Sequence, residues 1–162
     1  NINPKSRIIL AVTVVILLVA LSLTVVFLEH VANVNAGDKL VRVACLGDSI
    51  TNMTGYPEDL QKLLGNNSLV GNFGVIGATV NFYTDRPYYF DPAFQEARNF
   101  LPTTVIIMLG TNDARTNVYH QISNFTVDYE RVINRTLRWN STQQIFLVIP
   151  PPIFNNILDL NE

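Results

Sequence analysis

Four short apolar segments, each separated from the next by a helical signal, constrain this chain more than any other feature. Leu40–Leu46 and Thr103–Leu109 are β-branched-rich, while Leu69–Phe73 and Gln144–Ile149 are shorter runs of the same character. Continuous apolar runs of this length suit strands buried on both faces. Pro57–Leu64 reads as a helix, with Pro in its first turn, Leu60, Leu63 and Leu64 on one side, and Gly65 as the stop. Asp91-Pro92 opens a second helix to about Phe100, with Asp91 able to cap the free N–H groups. Ile122, Phe125, Tyr129, Val132, Ile133 and Leu137 recur at helical spacing and predict a long amphipathic helix from about 120 to 139. Pro150-Pro151-Pro152 stops the fourth strand. Strands alternating with helices predict an α/β fold with a parallel sheet, whose working groups gather at the carboxyl ends of the strands.

The amino-terminal part is of another kind. Ile8–Leu28 is a run of 21 residues without a charge, and a helix of that length spans the ~30 Å hydrocarbon core of a bilayer. Lys5 and Arg7 precede it, and Glu29 and Asp38 follow. Positive charge stays on the cytoplasmic side, so residues 1–7 are expected inside and everything after Leu28 outside. A cleaved signal peptide is the alternative, with Val34-Asn35-Ala36 as a small-residue cleavage site. The expected organisation is a stub at 1–7, a membrane anchor or uncleaved signal at 8–28, a linker at 29–38 and a globular part at 39–162. Asn52, Asn66, Asn124, Asn134 and Asn140 each begin an Asn-x-Ser/Thr triplet, a candidate glycan acceptor on an exported surface. Asn52 is expected to be unmodified, because a glycan three residues from Ser49 would obstruct the site. Cys45 is the single cysteine, so no intrachain disulfide is available, and its strand-like setting suits a buried inert thiol.

Three polar clusters follow the first three strands: Gly47-Asp48-Ser49-Ile50-Thr51, Asn72 to Thr79, and Gly110-Thr111-Asn112-Asp113. In a parallel sheet all three emerge on one edge, where they can converge. A hydroxyl, a glycine whose backbone a substrate can approach, and a carboxamide are what acyl transfer needs. The serine attacks a carbonyl, and N–H donors hold the charge that develops on its oxygen. Each cluster alone is an ordinary turn or cap; the combination in this order is far more specific.

With these blocks the sequence resembles the SGNH (GDSL-type) hydrolase family over about Leu40 to Pro152. The resemblance implies a flavodoxin-like three-layer α/β/α fold and hydrolysis of esters, often acyl or acetyl groups on carbohydrates or lipids. It implies Ser49 as nucleophile, with the Ser49 N–H, the Gly77 N–H and the Asn112 side chain as oxyanion donors, and Asp48 and Asp113 in support. Tyr56-Pro57 leading a helix, and Asp128-Tyr129 in the later one, look most like the carbohydrate-acetylesterase members.

The family's fourth element, Asp-x-x-His, has no counterpart in these residues. The two histidines are His30 and His120, and three residues before them stand Phe27 and Asn117, neither a carboxylate. His30 reads as a linker residue, His120 as a loop or helix-start residue or a substitute base. Removing the base of such a triad costs on the order of 10⁴ to 10⁶ in turnover, so the chain as given is expected to be inactive. Starting at Asn1 rather than Met, and ending before the expected histidine, it is expected to be a piece cut at both ends, with apolar sheet and helix surface left uncovered. An exported pseudoenzyme that binds carbohydrate, or a structural surface domain, remains as an alternative.

The aromatic segment Phe82, Tyr83, Tyr88, Tyr89 and Phe90 is expected in a loop after the second block. Its rings either stack on a sugar, making Tyr83, Tyr88 and Tyr89 substrate contacts, or pack the loop onto the domain. Nothing in the spacing favours Arg86 as a contact for an acidic substrate. No His/Cys/carboxylate cluster has metal-ligand spacing, and neither a phosphate-binding Gly-x-x-x-x-Gly-Lys nor a dinucleotide fingerprint occurs, so neither metal nor cofactor is expected. A net charge of −2 with 15% charged residues gives no footprint for nucleic acid.

Overall fold

The computed structural model describes residues 13, 17–29, 40–119 and 122–152. Two units divide the chain, residues 1–39 and residues 40–162. In the first, residues 17–29 are helical and their apolar side chains are exposed. No helix among the described residues is long and apolar enough to cross a membrane. Residues 1–12, 14–16 and 30–39 lie outside the described residues, and with them the first part of the expected span apart from residue 13, His30, the cleavage site and most of the linker.

In the second unit four strands form one parallel sheet in the order β2-β1-β3-β4. These are β1 (Val41–Gly47), β2 (Ser68–Gly74), β3 (Thr104–Met108) and β4 (Gln144–Leu147). The central strand β1 is buried from Val43 to Gly47, while β2 and β4 are partly or fully exposed along their lengths. The strand order reverses at β1 and β3, and the crevice at their carboxyl ends is where open α/β sheets hold their ligands.

Register and period two divide the side chains between the faces. Ala44 pairs with Val105 and Leu46 with Ile107. These four join one core cluster with Phe94 and Ala97 of α3 (Pro92–Asn99), Val132 of α5 (Phe125–Leu137) and the following Trp139. The opposite face is met by α1 (Ser49–Met53) and α2 (Tyr56–Leu64). There Tyr56, Leu60 and Leu63 border an apolar groove of about 650 Å³ with Ile106 and Met108 of β3. Helices thus cover both faces, as expected.

Two expectations are corrected. The helix expected from residue 120 begins at Phe125. It is preceded by the short α4 (Thr116–Tyr119) and a 3₁₀ turn at Ile122–Asn124, while His120 and Gln121 lie outside the described residues. Its buried stripe also differs: Asp128 and Thr136 are inside with Val132, while Leu137 and Ile122 are exposed. The polar pair is tolerated because each group is satisfied. Thr136 donates to the Val132 carbonyl at 2.9 Å, and Asp128 accepts from the Phe82 N–H at 3.0 Å and from Arg131 at 2.8 Å. The first polar cluster runs directly into α1, which begins at Ser49 itself.

Apolar side chains are exposed on and after β4. Phe146 is 52% and Leu147 55% exposed, and Ile149 is 90% exposed.

Candidate active site

The first polar cluster is shaped by Asp48. It is fully buried and caps α1, its Oδ1 accepting from the Ile50 N–H at 2.9 Å. This cap starts the helix directly after β1 and places Ser49 in its first turn, half-buried. Burial pushes the Asp48 carboxyl above the ordinary 3.8, opposed by the Ile50 N–H and then the Thr111 hydroxyl. That hydroxyl is near enough to favour the charged form, yet Asp48 Oδ2 and Thr111 Oγ1 make no hydrogen bond of good geometry. Gly47 is required by the same close packing. A Cβ there would strike the Thr51 hydroxyl and lie 2.7 Å from the Met108 carbonyl oxygen.

The second cluster is tied to the first. Val75 N–H donates to the Gly47 carbonyl at 2.9 Å, and the Asn52 amide donates to the Gly74 carbonyl at 2.8 Å. A turn then closes from the Ala78 N–H to the Val75 carbonyl at 3.1 Å, with Gly77 at φ 78°. Positive φ at the third position is the mark of a type II turn, which explains glycine there.

The third cluster is tied to the second. Asn112, half-buried in a 3₁₀ turn (Asn112–Ala114), donates its amide to the Ala78 carbonyl at 3.0 Å, beside Gly77. Its neighbour Asp113 is buried and accepts from the Val80 and Asn81 N–H groups, one per oxygen, both at 2.9 Å. Burial pushes the Asp113 carboxyl up, and the two N–H groups oppose the shift. Together with Asp128 on the Phe82 N–H, two carboxylates hold three successive backbone donors of the loop after β2. All three clusters therefore sit on one edge of the sheet and are cross-linked there.

The aromatic loop divides. Tyr88 is fully buried, its hydroxyl donates to the Phe73 carbonyl at 2.6 Å, and its ring meets Phe94. It presents no surface to a substrate and is removed from the expected contacts. Tyr89 packs among Phe82, Phe90 and Phe94 at ring separations of 4.8–5.3 Å, so packing describes its place better than sugar stacking does. Tyr83 is 68% exposed and borders a cleft of about 250 Å³ with Gly77, Arg86 and Arg115. Arg115 was not singled out by the sequence. Its place two residues after the third block was the one available signal.

Cys45 is buried, and burial pushes its thiol from 9.0 up to about 11, with the Tyr56 hydroxyl opposing. It stays a protonated thiol at neutral pH. No group of three or more potential metal ligands occurs among the described residues.

Residues 45–161 match the GDSL-like Lipase/Acylhydrolase family, and the chain belongs to it. An acetylxylan esterase of Xylanibacter ruminicola is 40% identical over 101 residues, 57% of this chain; the chain spans about a fifth, 21%, of that relative's length. Among solved structures, a carbohydrate acetylesterase family member from Sinorhizobium meliloti superposes with a TM-score of 0.53 at 23% identity, over 72% of this chain and 66% of that one. The inhibitor-bound aryl esterase of M. smegmatis gives 0.54 at 21% identity, over 70% and 65%. At these identities the likeness is one of fold.

Proposed function

We propose that this chain carries the nucleophile and oxyanion part of a serine ester hydrolase that acts outside the cytoplasm on acylated substrates, acetylated carbohydrate foremost. The observation that carries the reading is the cross-linked edge: Ser49 opens α1, Gly77 holds a left-handed turn, and Asn112 is pinned to Ala78 beside it. Ser49 Oγ attacks the ester carbonyl carbon, its proton passing to a base and then to the leaving alcohol as the C–O bond breaks. Water next attacks the acyl-enzyme and releases the acid with Ser49 restored. The Ser49 and Gly77 N–H groups and the second Asn112 amide hydrogen stabilise the oxyanion in both steps. Asp48 and Asp113 support these groups by holding the backbone around them. The acetylxylan esterase relative favours acetyl esters of carbohydrate over those of lipid.

The base is the part these residues do not supply as Asp-x-x-His, and this favours a second reading, an exported binding domain without catalysis. One comparison separates the two. Protein expressed from the whole coding sequence should hydrolyse p-nitrophenyl acetate, and Ser49→Ala should lower turnover by about 10⁴ or more. Equal rates for the two proteins would misassign the nucleophile, and no hydrolysis by either would favour the binding domain. The 162 residues alone should turn over at the level of that variant.

Export rests on the uncharged run at 8–28 flanked by Lys5 and Arg7. Protease added to intact cells should then digest the region after Leu28, and complete protection would reverse the orientation.

A further inference from the structure

The cleft beside Gly77 has an electrostatic character that ester hydrolysis alone does not require. Arg86 and Arg115 both border it. Each donates to a backbone carbonyl at or beside a proposed oxyanion donor: Arg86 Nη1 to Ile76, next to Gly77, at 2.7 Å, and Arg115 Nε to Asn112 itself at 3.2 Å. A guanidinium has five N–H donors, so each keeps several for a ligand. Among the described residues the ion pairs are Lys62–Asp59 and Arg131–Asp128, and neither involves these arginines. Asp85 borders the cleft too, exposed and beyond ion-pair reach of both, which leaves one net positive charge. Two anchored guanidiniums without a carboxylate partner form a ready receptor for an anion, because their orientation is set before the ligand arrives. At about 250 Å³ the cleft is below the range of about 300–1,000 Å³ that encloses a whole drug-sized ligand. It suits one charged substituent on a ring rather than an oligosaccharide.

We infer that this cleft is a carboxylate subsite, formed by Arg86 and Arg115 with Tyr83 at its rim, and that the ester substrate is an acidic saccharide whose carboxylate seats there while its acyl group lies at Ser49. The choice of substrate rests on the esterase reading above; the binding of a carboxylate does not.

Binding is therefore measured first, by amide chemical shifts of the full chain titrated with D-glucuronate, its neutral methyl ester and D-glucose. Glucuronate should bind about tenfold or more tightly than either neutral sugar, a preference of the size expected for a charge-assisted pair. The shifts should centre on Gly77 and Val118, and 0.5 M salt should weaken the preference. Arg86→Gln, at an exposed position, and Arg115→Gln should each remove most of it, while Arg115→Lys keeps part. Equal binding of the three sugars, or a preference untouched by both glutamine variants, overturns the subsite. With the whole coding sequence expressed, Ser49-dependent hydrolysis of acetylated glucose and acetylated glucuronate is compared. A preference of kcat/KM for the acidic ester that both glutamine variants reduce supports the subsite. Hydrolysis without that preference overturns its role in substrate choice and leaves the esterase standing. Carboxylate binding without any Ser49-dependent hydrolysis leaves the subsite standing and sinks the esterase.

Discussion

Glycine residues on the sheet edge are needed for different reasons, and substitution separates them. Gly77 sits at φ 78° with its nearest foreign atom, on Arg86, 4.0 Å from where a Cβ would be. Its replacement by alanine meets strain rather than collision, costing about 1 kcal/mol. Gly47 has an ordinary backbone, but its Cβ would strike the Thr51 hydroxyl and press on the Met108 carbonyl. Gly47→Ala must move α1 off the sheet and should cost several-fold more, on the order of 3 kcal/mol. Urea unfolding of both variants checks the ranking, and an equal cost would contradict the packing of α1 on β1. The glycines in the polar clusters were legible as turn formers. That one answers to φ and the other to a neighbouring helix was not, because the second cause lies on a different part of the chain.

At the scale of elements, the loop after β2 owes its shape to carboxylates from elsewhere. Asp113 takes the Val80 and Asn81 N–H groups and Asp128 takes Phe82. In Asp113→Asn one oxygen becomes an amide that faces a donor, and a buried N–H is left unpaired. The expected cost is about 2 kcal/mol, with faster hydrogen exchange at Val80 and Asn81. Asp128→Asn should speed exchange at Phe82 and leave Val80 and Asn81 protected. Coupled loss in both variants would mean that the loop opens as one unit. The sequence marked Asp113 as a block residue and Asp128 as a neighbour of Tyr129, but their shared task spans 46 residues between Phe82 and Asp128. Helical periodicity placed α5 correctly in its middle and failed at both ends. It counts apolar residues and has no means to foresee that a satisfied Asp128 and Thr136 replace Ile122 and Leu137 in the buried stripe.

For the whole molecule, the shifted groups set how stability follows pH. Burial raises Cys45 to about 11 and raises Tyr88 and Tyr129 above 10.0. Above pH 9 the unfolded chain loses these protons first, so the native state binds more of them and stability falls as pH rises. For Cys45 the loss runs from 9.0 toward about 11 and reaches about 2 kcal/mol at pH 11. Cys45→Ala should flatten the dependence of the urea midpoint between pH 9 and 11, leaving the steeper tyrosine part beyond 10. At the acid end, Asp48 and Asp113 are also raised above 3.8. They hold protons longer when folded, so stability from these two groups falls as pH rises from 3.8 through their raised values. An acid-induced loss cannot come from them.

The succession of strands, the family and the three polar blocks were determined by the sequence alone. They depend on local composition and on short spacings: a short apolar run bounded by turn signals marks a strand, and a residue at a strand end can be named by counting. The tertiary structure decided which groups face one another. It turned Tyr88 into the core, where a phenol ring fills space and its hydroxyl finds the Phe73 carbonyl. It also brought Arg86 and Arg115, 29 positions apart in the chain, to the lining of one cleft. Burial and unpaired charge are properties of what surrounds a side chain, and only the folded chain supplies those surroundings.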